Sequence, residues 1–261
     1  MKYTRQGVSL EYDDIGNGVP LLLIHGFPLD RTLWRAQIAG LWQIYRVIAP
    51  DLRGFGQSST TTGEAISMEQ YAADLKALLD ALNVKQAIIG GLSMGGYVAL
   101  AFYARYPDRV SALILANTRA TADNEEGKQR RLTNAQTIEA SGPAFLVEAM
   151  APQMLGPTAR AETAVTVHSM LARQRAPGMA SALRGMAARP DRSSLIRFAT
   201  IPVLIITGSA DQLISPTESE AMHGLIPDST LVTIPEAGHL SNIDKADAFN
   251  DAVRSFHHRV D

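Results

Sequence analysis

The stretch Gln86-Ala-Ile-Ile-Gly-Gly-Leu-Ser-Met-Gly-Gly-Tyr-Val-Ala-Leu100 decides the fold. Gln86 to Gly90 is a short apolar run of strand length, the pattern of a strand covered on both faces. Met94 to Tyr106 reads as a helix stopped by Pro107. Between them, Gly91-Leu-Ser93-Met-Gly95 has the form G-x-S-x-G. So abrupt a passage from strand to helix crowds the backbone, and the positions two before and two after the serine must be nearly bare. Gly91 and Gly95 meet that need, and Gly90 and Gly96 relieve it further. Ser93 is then held at a strained backbone conformation, at a cost of about 1–3 kcal/mol. Its hydroxyl stands at the carboxyl edge of the sheet, facing a helix N-terminus that favours negative charge. The bland alternative is a glycine-rich turn whose serine caps the helix.

Working outward, Lys2 to Tyr12 alternates weakly and reads as an edge hairpin or strand. Pro20 to His25 and Tyr45 to Ala49 are buried strands, as are Val110 to Ala116, Ile201 to Thr207 and Leu231 to Ile234. A helix opens at Ser67, where Ser67 and Gln70 form a capping box ahead of Tyr71, Leu75, Leu78, Leu79 and Leu82. Another starts at Pro216, and Asp244 to Val260 closes the chain with Phe249, Val253 and Phe256 on one face. Strands alternating with helices mean an α/β protein with a mostly parallel sheet wrapped on both sides. Arg119 to Arg197 carries no strand signal and reads as a helical insertion over one end of the sheet. The core is thus residues 1–118 and 198–261, and the cap 119–197.

The chain has 261 residues, 46% of them hydrophobic and 19% charged, which is a globular composition. With no cysteine, disulfides, thiolate metal sites and cysteine nucleophiles are excluded. A net charge of -2 argues against nucleic acid as a partner, which needs a concentrated basic face. No apolar run reaches the length of a membrane span, and the first twenty residues hold no signal-peptide core. The expectation is a soluble, cytoplasmic protein with no membrane partner.

A nucleophilic serine needs a base, and the base an orienting carboxylate. Of the six histidines, His239 lies in Ala237-Gly-His-Leu240, directly after the last strand and at the expected edge. His168 and His223 fall within helices, His257 and His258 in the solvated end of the last helix, and His25 shapes its own loop. Asp211, just beyond the strand Ile201 to Thr207, is the carboxylate of choice. The loop after Ala116 reads Asn117-Thr-Arg119 and offers none, while Asp244 is read as a helix cap. Asp51 and Arg53 are expected to brace their loop by a salt bridge, and Trp34 and Trp42 to pack as core or surface.

Ser93, Asp211 and His239 on successive strand ends, with the G-x-S-x-G elbow, resemble the α/β-hydrolase superfamily over nearly the whole chain. His25-Gly-Phe-Pro28 is similar to that family's oxyanion-hole loop, and Asp51-Leu-Arg-Gly-Phe-Gly-Gln-Ser58 to its D-x-R-G-x-G-x-S loop. Within the superfamily the chain looks most like small serine esterases known as non-haem haloperoxidases, and like enol-lactone hydrolases. The resemblance implies an α/β-hydrolase fold and a small-molecule ester or lactone substrate. Ser93 would be the nucleophile, His239 the base and Asp211 the orienting acid. The backbone N–H groups of Phe27 and Met94 would form the oxyanion hole, and no metal or organic cofactor is implied.

Other readings on the same scaffold are a carbon–carbon bond hydrolase, a perhydrolase and a slow-turnover ligand-binding receptor. Haloalkane dehalogenases and epoxide hydrolases share the early loop but use an aspartate nucleophile, against which Ser93 argues. The insertion holds ten Arg and one Lys against seven acids, and five of the nine Met. Met makes adaptable apolar walls. The expected pocket is therefore mainly hydrophobic, lined by Phe27, Met150, Met154 and Leu240, with Arg119 either meeting a substrate carboxylate or lying solvated at the rim of a helix face.

Overall fold

The structure is a computed structural model describing residues 1–259. Its eight strands are β1 (Lys2–Arg5), β2 (Val8–Ile15), β3 (Val19–Ile24), β4 (Tyr45–Pro50), β5 (Ala87–Leu92), β6 (Val110–Ala116), β7 (Val203–Gly208) and β8 (Ser229–Ile234). They form one sheet in the order β1-β2-β4-β3-β5-β6-β7-β8. The β1–β2 hairpin is antiparallel and β2 runs antiparallel to β4; every other neighbouring pair is parallel.

The continuous apolar runs of the central strands have their cause in this arrangement. Leu21 and Leu23 of β3 face the same core as Phe249, Val253 and Phe256 of α11 (Ala246–His257) and Leu41 of α1 (Arg35–Leu41). Leu22 and Ile24 face the opposite core, with Tyr71 and Leu75 of α2 (Met68–Ala81) and Val98 and Phe102 of α3 (Met94–Arg105). A strand with helices on both sides needs apolar residues at every position, which hides the period of two. β5 and β7 are buried along their whole length. The Ser67–Gln70 capping box opens α2 as its sequence requires.

Boundaries shift by a residue or two from expectation, β7 starting at Val203 and β8 at Ser229, and two further differences flank the site. β5 continues through Gly90 and Gly91 to Leu92, because both glycines pair in register with Ile114 and Leu115 of β6. The last helix is interrupted at Lys245, so α10 (Ser241–Asp244) precedes α11, which runs to His257. Val260, the expected end of that helix, lies outside the described residues.

Between β6 and β7 lie five α-helices and no strand: α4 (Glu125–Ser141), α5 (Ala144–Met150), α6 (Ala161–Ala172), α7 (Ala176–Ala187) and α8 (Ser193–Arg197). They rest on the loops at the carboxyl ends of β3, β4 and β8. Arg173 and Gln174 bond Asp30, and Arg175 donates to the Ser58 carbonyl. Leu240 N–H donates to the Met154 carbonyl at 2.8 Å. At the start of the segment, Asp123 is gripped by Arg119, Arg131 and Arg189, and the Arg189 guanidinium lies 4.0 Å from the Tyr97 ring centre. α9 (Pro216–Leu225) follows β7. Among the described residues no helix is long and apolar enough to cross a membrane.

Candidate active site

The elbow is built by close backbone approach. A Cβ on Gly91 would lie 2.1 Å from the Gly95 carbonyl oxygen, and one on Gly95 2.1 Å from that of Ile24. No side chain fits either gap. Between them Ser93 adopts φ 55°, ψ −117°, a region L-residues seldom visit. Its hydroxyl makes no capping hydrogen bond, so the bland reading of a capping serine fails. The strain is held by the main chain. Ser93 N–H donates to the Ala116 carbonyl at 2.9 Å, and the Ser93 carbonyl accepts from the Thr118 hydroxyl at 2.8 Å.

The early loop meets this elbow. A Cβ on Gly26 would sit 3.3 Å from the Ser93 Cβ, which puts the neighbouring Phe27 beside the serine. Met94 is the first residue of α3, where an N–H has no carbonyl within its own helix. Among the described residues no protein acceptor takes the Phe27 N–H. His25 braces the loop, as expected: its Nε2 accepts from Leu52 N–H at 3.0 Å, so Nδ1 carries the proton and donates to the Gly26 carbonyl. Burial lowers the His25 pKa and keeps the ring neutral.

Asp211 and His239 are brought together from the loops after β7 and β8. His239 Nδ1 lies 2.9 Å from Asp211 Oδ2 and 3.1 Å from Oδ1, with both residues buried. Oδ1 also accepts from the N–H groups of Leu213 and Ile214. Burial pushes the Asp211 carboxyl up. The His239 charge and the hydrogen bonds from His239, Ile214 and Asn117 outweigh it, so the group sits below the ordinary carboxylate value. An ionised Asp211 requires a donor opposite it. The imidazole proton is therefore on Nδ1, leaving the Nε2 lone pair available.

Of the other residues singled out by the sequence, some fall where expected and some elsewhere. Asp51 and Arg53 do brace their loop, but not with each other. Asp51 takes Arg31 and the Gln57 N–H, and Arg53 pairs with Asp74. Asp244 is no helix cap: it ends α10, and its Oδ2 accepts from Gly238 N–H at 2.8 Å and Gly156 N–H at 2.6 Å. Arg119 is engaged by Asp123, which it shares with Arg131 and Arg189, and by Glu218. Met154 and Leu240 are fully buried against each other, and Met150 packs where the two cores meet. His168 pairs with Glu148 and His223 with Ser229, away from the elbow, and His257 packs edge-on against Tyr45 rather than lying in solvent. Trp34 is core and Trp42 surface.

Sequence reasoning passed over Asn117, having looked there for a carboxylate. The residue is fully buried with φ 46°, and its amide donates to Asp211 Oδ2 at 2.9 Å. A polar residue directly after the apolar run 112–116 was the one available signal.

An elbow serine, a buried carboxylate–imidazole pair and a helix N-terminus at the carboxyl edge of a mostly parallel sheet define a class. The chain belongs to the α/β-hydrolase fold family, whose model matches residues 19–175 and 168–246. It is similar to a thermophilic esterase from Thermogutta terrifontis solved with malate bound, at 39% identity and TM-score 0.95, over 99% of this chain and 97% of that one. It is 32% identical over 257 residues to 3-oxoadipate enol-lactonase 2 of Acinetobacter baylyi, which spans 97% of this chain and 94% of the relative. The enol-lactonase of Burkholderia xenovorans superposes with TM-score 0.88 at 27% identity, over 98% and 99% of the two chains.

Proposed function

We propose that the protein is a serine hydrolase of small carboxylic esters or lactones, working through an acyl-enzyme. His239 takes the Ser93 hydroxyl proton at Nε2 as Oγ bonds to the substrate carbonyl carbon. Asp211 holds the tautomer and stabilises the imidazolium without itself being protonated. The tetrahedral oxyanion is met by the N–H groups of Phe27 and Met94, each such donor typically worth about 3 kcal/mol. The imidazolium returns the proton to the leaving oxygen as the carbon–oxygen bond breaks. Water then repeats the attack, and the carboxylic acid leaves.

The observation that carries this reading is the buried Asp211–His239 contact at 2.9 Å, which leaves Nε2 as the basic atom. The esterase and enol-lactonase relatives support an ester or lactone as substrate. Residues 119–197 act as a cap on the core formed by 1–118 and 198–261, with the partly buried Met150 contributing apolar wall and Met154 and Leu240 packed behind it. The bound Arg119 is left out of substrate recognition, because a guanidinium already facing two carboxylates has little to offer a third.

The test is hydrolysis of p-nitrophenyl acetate and of a small enol-lactone by the wild type and by Ser93→Ala. The variant should lose a factor of about 10⁴ or more in kcat, together with mass labelling by a fluorophosphonate. Substantial residual turnover removes Ser93 from the mechanism. Labelling of the wild type without turnover of either compound favours a receptor instead.

A further inference from the structure

We infer that Asn117 is a positioning residue for the Asp211–His239 pair, joining acid and base through one side chain. The inference rests on the serine-hydrolase reading of the same site. Asn117 follows β6, between the strand that leads to Ser93 and the strands that lead to Asp211 and His239. Its Nδ2 donates to Asp211 Oδ2 at 2.9 Å and to the Gly238 carbonyl at 3.3 Å. Its Oδ1 accepts from the Ser241 hydroxyl at 2.5 Å. Its main-chain N–H donates to the Ile206 carbonyl at 2.8 Å. The amide therefore holds the acid and brackets the base, since Gly238 and Ser241 lie on either side of His239.

The carboxylate geometry shows what this does. Oδ1 of Asp211 accepts from two N–H groups of its own loop, which leaves Oδ2 with the imidazole alone unless another donor reaches it. The Asn117 amide is that donor, and with protein donors on both oxygens the carboxylate plane is held against rocking about the Cβ–Cγ bond. The imidazole that shares Nδ1–H with both oxygens then takes its ring orientation from that plane. Asparagine suits the task by its chemistry. Two donors and one acceptor are needed at short reach, on a backbone with φ 46° that Asn tolerates better than most L-residues. Aspartate has no donor when ionised, serine has one, and glycine fits the backbone but has no amide.

The experiment compares kcat, KM and thermal midpoint for wild type, Asn117→Gly and Asn117→Asp on p-nitrophenyl acetate, with Ser93→Ala alongside. Asn117→Gly keeps the backbone easy and deletes the amide. Its kcat should fall about 10- to 100-fold with KM changed by less than about threefold, because misplacing a catalytic group costs rate rather than binding. Asn117→Asp replaces the donor with a charge facing Asp211 and should lose more activity at pH 8 than at pH 6. A folded Asn117→Gly with wild-type kcat, or with its loss confined to KM, overturns the inference. So does a lowered thermal midpoint with kcat untouched. If Ser93→Ala keeps its activity, the serine-hydrolase reading fails and this inference with it. If Ser93→Ala is dead and Asn117→Gly runs at wild-type rate, this inference alone fails.

Discussion

Asp30 takes two hydrogen bonds from the Arg173 guanidinium, at 2.7 and 2.8 Å, across 143 residues of sequence. Gln174 adds a third at 2.8 Å, so the loop carrying Phe27 is fastened to the junction of α6 and α7. Burial pushes the Asp30 carboxyl up, but the Arg173 and Thr32 hydrogen bonds and the Arg173 charge draw it down to about 2. A carboxyl depressed in the native state adds stability that is complete above its unfolded value, near 3.9, and is lost as pH falls through the native one. Asp30→Asn should therefore be less stable than wild type at pH 7. The deficit should be on the order of 1 kcal/mol once the half-exposed guanidinium is discounted for solvent screening. Urea midpoints measured from pH 7 downward should converge between about pH 4 and pH 2. A deficit that stays constant through that window refutes the ion-pair account.

The conformation of Ser93 sets stability against activity. A serine at φ 55° is strained by about 1–3 kcal/mol, and glycine at the same position is not. Ser93→Gly should raise the thermal midpoint above that of Ser93→Ala, with both inactive, since both lose the hydroxyl and one alone loses the Cβ. Differential scanning calorimetry of the two variants decides the matter. Equal midpoints mean that the strain is no larger than the extra backbone entropy glycine loses on folding, about 0.4–1 kcal/mol.

The fold was legible because two-sided burial writes itself as unbroken apolar runs, and Pro20–Ile24 or residues 112–116 could be little else. Ser93, Asp211 and His239 were legible because each follows such a run at the same edge. Residues acting through the backbone or over long separations were not. Asp244 reaches two N–H groups, one 88 residues away, and nothing in its neighbours announces that. Asp51 and Arg53, two apart on a loop, point to different partners, because adjacency in sequence fixes no shared direction off a helix or strand. Asn117 was passed over for want of a charge, although a buried donor serves an ionised Asp211 better than a second carboxylate would.

The Asp211 carboxylate bears on the pH dependence of the reaction. Burial raises it, but the His239 charge and the hydrogen bonds from His239, Ile214 and Asn117 lower it more, so it loses its proton below the ordinary carboxylate range. Asp211 is therefore ionised throughout and above the ordinary carboxylate range, and log kcat/KM against pH should have a limiting slope of no more than about one on its acid side. A slope of about two shows the carboxyl taking a proton in the same range. Asp211→Asn should lower kcat by about 10⁴, because the amide no longer selects the Nδ1–H tautomer.

Asp244 offers a separation of geometry from charge. Both of its hydrogen bonds end on Oδ2, from Gly238 on the His239 loop and from Gly156 on the insertion, and both glycines are buried. Asp244→Ala leaves two buried N–H groups without an acceptor, each costing about 1–3 kcal/mol. It also frees the residue directly before His239. Asp244→Asn keeps one oxygen where both N–H groups converge and gives up the charge. Alanine should therefore lower both the thermal midpoint and kcat, whereas asparagine should recover most of kcat while staying less stable than wild type, charged acceptors being the stronger. Were asparagine as slow as alanine, the charge of Asp244 would matter to the reaction and its oxygen would not suffice. Were alanine as fast as wild type, His239 would be held well enough by Asp211, and the bond to Gly238 would serve the docking of the insertion alone.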